Sequence, residues 1–247
     1  MKSILLHVPH SSTEIPAQWR REITLDDDAL AHELLLMTDT HTERLFDVEG
    51  TGKVVFPVSR LVVDAERFTD DSLEPMAERG MGVIYTKTAH GDVLRDKPNA
   101  SSRAALLNEY YHPHHARLLA LAAQSIETYG SCLIVDCHSF PSRALPYERQ
   151  PDDAPRPEIC IGADGFHTPK ELSAKLTQFF SGKEYSVALN VPFAGALTPM
   201  KLYQKEPRLH SIMIEVRRDL YMNEKTGSML PSFDKIKQHI AEGIERT

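Results

Sequence analysis

Short apolar runs bounded by polar, glycine or proline residues recur at residues 3–8, 53–58, 60–64, 132–137, 158–161, 186–189 and 211–216. Their length and β-branched content predict strands. Between them, residues 29–36, 42–47, 101–127, 169–180 and 232–245 carry apolar side chains at roughly the 3.6-residue period, which predicts amphipathic helices. Thr168 and Pro169 supply a cap and first turn for the fourth of these. Strands alternating with helices imply an α/β fold, a three-layer sandwich whose mixed, mostly parallel sheet is flanked by helices. No repeat or low-complexity tract appears, and the stretch 146–157, rich in Pro, Asp and Arg, is the single linker-like segment. Residues 1–247 therefore read as one domain.

Composition narrows the partners. A formal net charge of -7, with no long run of Lys or Arg, gives no electrostatic footprint for a phosphate backbone, so no nucleic acid is expected. The N-terminal apolar stretch is too short for a signal peptide, and nothing later approaches about 18 apolar residues, so no membrane association is expected. Three cysteines, Cys132, Cys137 and Cys160, are an odd count at irregular spacing, which favours a reducing cytoplasm over a disulfide framework. Nothing in the sequence fixes the oligomeric state.

In α/β sheets, ligands sit beyond the carboxyl ends of the strands. His10 follows the first predicted strand, His138 follows the run 132–137, and Glu215 stands at the polar end of the run 211–216. Two imidazoles with carboxylates on converging strand ends suit a catalytic zinc ion, which takes three protein groups and keeps one open position. A carboxylate inside an apolar strand needs a compensating partner or a role, and Arg217 or Arg218 can supply the partner to Glu215. Asp39 lies just before a short helix and reads equally as a helix cap. Arg60, Asp64 and Arg67 form a cluster that suits either a carboxylate clamp or an internal ion pair. In His112-Pro113-His114-His115, the helical pattern places His112 and His114 on the surface and leaves His115 as a site candidate. No Gly-x-Ser-x-Gly elbow occurs, which argues against a serine hydrolase.

The ordered set 5–12, Asp39-Thr40-His41, Arg60 through Asp64 and Arg67, His115, Asp136-Cys137-His138-Ser139 and Glu215 with Tyr221-Met222 resembles the N-formylglutamate amidohydrolases over about residues 3–222. That family is similar to the zinc carboxypeptidase and aspartoacylase group, which implies a mixed eight-stranded sheet and one bound Zn2+. The resemblance implies His138 as a zinc ligand, Glu215 as general base, and Arg60, Asp64, Arg67 and Arg217 at the substrate carboxylate. Glu66 stands where the aspartoacylase pattern has Asn, and a carboxylate offers no N–H to substrate. The relatives' His-x-x-Glu is also broken: Thr13 falls three residues after His10, and Glu14 is one place late. Asp39 is therefore the expected third metal ligand beside His10 and His138, with Glu14 and His41 in reserve. The implied reaction is hydrolysis of the amide of a small-molecule N-acyl amino acid, N-formyl-L-glutamate first. Alternatives are another N-acyl amino acid, a peptide end, or a metal-binding relative without catalysis.

Overall fold

The structure is a computed structural model that describes residues 3–148 and 156–247. In chain order the strands are β1 Ser3–Val8, β2 Gly52–Val55, β3 Cys132–Phe140, β4 Ile159–Gly162, β5 Val187–Leu189 and β6 Leu209–Arg217. The helices are α1 Ala17–Arg20, α2 Asp27–Met37, α3 Thr42–Leu45, α4 Ala100–Leu106, α5 His112–Tyr129, α6 Lys170–Gly182 and α7 Phe233–Glu245. A π-helical turn, Leu107–Tyr111, joins α4 to α5.

Among the described residues one sheet forms, ordered β2-β1-β3-β6-β4-β5, rather than the eight strands that the resemblance implied. β2, β1, β3 and β6 run parallel, and β4 pairs antiparallel to β6. Alternation along the strands divides two cores. Leu6, Val8, Val135, Cys137, Ile212 and Ile214 pack with Leu176 and Phe180 of α6 and Ile236 and Ile240 of α7. On the other face Leu5 and Ile134 meet Leu118, Ala122 and Ile126 of α5. The same alternation turns His7, Asp136, His138 and Glu215 to the α5 side, where the parallel strands end.

The run 60–64 is not a strand. Leu61, Val62 and Val63 are buried, but in a turn that begins with the Leu61 N–H donating to Ser59 Oγ and the Val62 N–H donating to Ser59 O. Burial of a short β-branched run does not by itself distinguish the two. Helix α6 starts at Lys170 with Pro169 as its cap, and Thr168 Oγ1 instead donates to Ser211 O. The linker-like stretch 146–157 falls largely outside the described residues. At the end of β4, Gly162 is obligatory: a Cβ there would collide with the Gly195 carbonyl and the Met213 side chain. That close approach seats the loop 190–195 against the sheet.

Candidate active site

A cavity of about 360 Å³ opens beyond the ends of β3 and β6, lined by His10, Asp39, Glu66, His138 and Glu215 together with Arg60, Arg67, Arg79 and Arg218. Pro192, Phe193 and Ala194 of the loop 190–195 form part of its wall. Each histidine in it has one ring nitrogen committed. His10 Nε2 donates to Asp64 Oδ1 at 2.8 Å, and His138 Nδ1 donates to Asp39 Oδ2 at 3.1 Å. Of the other nitrogens, His138 Nε2 lies 3.1 Å from Glu66 Oε1 and 3.2 Å from Asp136 Oδ1, and His10 Nδ1 lies 3.9 Å from Glu66 Oε2 and 3.8 Å from Asp39 Oδ2. One donor atom from each of His10, Glu66 and His138 lies within 4.8 Å of the other two, so the group can hold a metal ion. His10 Nδ1 is buried with no hydrogen-bond partner among the described residues, as a metal-ligand position would leave it. Two imidazoles and a carboxylate are a donor set that zinc accepts.

Asp39 borders the same set, with its Oδ2 3.1 Å from His138 Nδ1 and 3.8 Å from His10 Nδ1. Its Oδ1 accepts from Arg218 at 2.9 Å, and its Oδ2 accepts from His138 and the Ser139 N–H. Burial would raise its pKa, but the His138 hydrogen bond and the Arg218 charge hold it well below the usual carboxylate range. Asp64 is more enclosed still. It accepts from His10, the Glu66 N–H, the Tyr85 hydroxyl and Arg60, and does not line the cavity. Despite burial, Arg60 and His10 keep its pKa low. It thus holds His10, Arg60 and the Glu66 backbone from behind the cavity wall.

Glu215 is paired in register with His138 across β3 and β6, and its buried Oε2 has no hydrogen-bond partner among the described residues. Burial pushes its pKa up to about 8, aided by Asp39 and Glu66 and opposed by His138. A titratable carboxyl left unpaired beside a metal-capable set is the arrangement a proton-transfer group needs.

Several expected groups lie elsewhere. Arg217 turns away from the cavity to Asp219 and the Arg156 carbonyl, because the strand ends there and the following 3-10 turn carries Arg218 into the site. Glu14 is exposed, and His41 Nε2 donates to Gly227 O. His115 supports the backbone beside Glu66 by donating to Ala65 O at 2.8 Å. His114 is buried, not on the surface: its Nε2 lies 2.9 Å from His7 Nε2, and His7 Nδ1 lies 2.7 Å from Asp136 Oδ1. Burial lowers the His114 pKa to about 2, so its ring stays neutral in this stack. Glu66 joins this group without a ligand motif in the sequence; its one signal there is the departure from Asn at that position.

Fold and site together give a three-layer α/β sandwich with a cavity whose His10, His138 and half-buried Glu66 could hold a metal ion. A model of the N-formylglutamate amidohydrolase family matches residues 2–222, and the chain belongs to that family. N-formylglutamate deformylase of Pseudomonas putida is 25% identical over 232 residues, covering 90% of this chain and 82% of that protein. The crystal structure of N-formylglutamate amidohydrolase from Ralstonia eutropha JMP134 has a TM-score of 0.83 at 23% identity, covering 100% of this chain and 93% of that one. A gene product of Agrobacterium tumefaciens has a TM-score of 0.69 at 21% identity, covering 99% and 90%. Both likenesses establish the same fold.

Proposed function

We propose that the protein is a zinc-dependent amidohydrolase that cleaves the amide of an N-acyl amino acid, N-formyl-L-glutamate first, to formate and glutamate. The observation that carries this reading is the convergence of His10, His138 and Glu66 beside an unpaired Glu215 in one cavity. His10 Nδ1, His138 Nε2 and the Glu66 carboxylate would hold the ion. When bound, zinc supplies Lewis acidity, which polarises an acyl oxygen and makes a neighbouring water easier to deprotonate.

The protein's own groups do the rest. Glu215 takes a proton from the attacking water and passes it to the leaving amine, a role suited to a carboxyl whose pKa burial has lifted to about 8. With a divalent cation held by the neighbouring donors, the Glu215 carboxylate form would be favoured. Arg67 has a buried Nε without a hydrogen-bond partner among the described residues and binds the α-carboxylate, aligning the amide with the donor set. Asp39 and Asp64 fix the two imidazoles. A cavity of about 360 Å³ suits an amino-acid derivative.

Glu215→Gln should keep metal but lose about 10²- to 10⁴-fold in turnover. Metal analysis of the purified protein, with a hydrolysis screen of N-formyl, N-acetyl and N-succinyl amino acids, tests the reading directly. Near wild-type turnover in Glu215→Gln would remove Glu215 as the base, and absence of metal without rescue by added zinc would remove the zinc.

A further inference from the structure

Of the four arginines that line the cavity, two are already matched by acids. Arg218 bonds Asp39 at 2.9 Å, and Arg60 bonds Asp64 at 2.8 Å. The cavity's Glu148 is also taken, by Arg156 at 2.7 Å. Arg67 and Arg79 are different. Arg67 Nε lies 3.9 Å from Asp64 Oδ2 and has no hydrogen-bond partner among the described residues. Arg79 ends the 3-10 turn Pro75–Arg79 and donates to the Tyr147 carbonyl, with no carboxylate partner among the described residues. Among the described residues, Arg67 and Arg79 thus line the cavity without a hydrogen-bonded carboxylate partner. A ligand carrying two carboxylates matches both; a ligand carrying one leaves the second cation unmatched.

The geometry points to Arg79 as a specificity-determining residue that binds the side-chain carboxylate of an N-acylated dicarboxylic amino acid. This rests on the amide-hydrolysis reading above. The assignment of the two arginines follows from their surroundings. Arg67 directly follows the donor Glu66 and lies beside Asp64, which orients the donor His10, so it meets the α-carboxylate, one carbon from the amide nitrogen. Arg79 comes from a separate turn and touches none of those groups, so it meets the carboxylate at the far end of the side chain.

The test compares N-formyl-L-glutamate with N-formyl-L-glutamine, a neutral near-isostere, in wild type, Arg79→Met and Arg79→Lys. Wild type should prefer the acid by about 100-fold in kcat/KM, and Arg79→Met should collapse that preference to near unity, mainly through KM. Arg79→Lys keeps the charge without the fork and should fall between, which also covers failure of the methionine variant to fold. Calorimetric binding of L-glutamate should weaken in the same order. A preference that survives in both variants would overturn the inference, as would equal losses on the two substrates. Wild type that hydrolyses acid and amide equally removes this inference but leaves the amide-hydrolysis reading standing. Wild type inert toward every N-formyl amino acid removes both.

Discussion

His10 and His138 each give one ring nitrogen to a buried aspartate, which sets ring orientation and tautomer before any metal arrives. Partners of this kind are commonly worth 10- to 100-fold in metal affinity. Asp39→Asn should therefore weaken zinc binding by about 10- to 100-fold, and Glu66→Gln, which removes a donor, should weaken it further. Competition with a chromophoric chelator measures both. A Glu66→Gln protein that binds zinc as tightly as wild type would take Glu66 out of the site. His10, His138 and Glu215 are legible in the sequence because each is a polar residue at the end of an apolar strand. Glu66 is harder to read: its segment is a turn, and the bonds gathered by Asp64 place it over the strand ends. Those partners are distant in sequence, so no local period reveals them. Arg217 and Arg218 show the same limit, since one residue of strand length decides which of the two faces the cavity.

Helix α2 carries Leu36 and Met37 to the cavity and delivers the chain to Asp39, so its seating matters to the site. Glu33 holds it: its buried carboxylate accepts from the Ala89 N–H at 2.7 Å. Burial raises the Glu33 pKa, against the pull of that hydrogen bond. A carboxyl whose folded pKa is raised costs stability once pH exceeds its unfolded value, most fully above the folded one. Glu33→Gln keeps the acceptor oxygen and removes the buried charge. Its Tm should exceed wild type by about 1–3 °C at pH 7–8, with the difference closing below about pH 4. Thermal scans across that range decide it, and a variant less stable than wild type at pH 8 would mean that the charge itself is compensated. The helices and most strands are legible because their periods match their burial. The 60–64 turn is not, because its buried Leu61, Val62 and Val63 look like a strand interior.

Across the whole molecule, chain elements far apart in sequence meet at one place. β1 supplies the exit to His10, β3 carries His138, β6 carries Glu215, and the turn after β2 brings Glu66 across them. Four carboxylates, Asp39, Asp64, Asp136 and Glu215, are buried around that point, with Glu66 half-buried among them. Arg218 and Arg60 offset Asp39 and Asp64, leaving Asp136, Glu66 and Glu215 against imidazoles. A divalent cation that binds the folded chain and not the unfolded one compensates this charge, and it stabilises by about 2.7 kcal/mol at 100 times its Kd. At this chain length that corresponds to about 5–10 °C in Tm. Zinc-loaded protein should therefore melt about 5–10 °C above protein stripped with a chelator, with the shift restored on adding zinc back. In Glu66→Gln the shift should shrink, because the unfolded reference is the same while the folded site holds the ion less tightly. Equal melting with and without chelator, in protein that carries stoichiometric zinc, would show that the ion is not coupled to this fold through its buried charges.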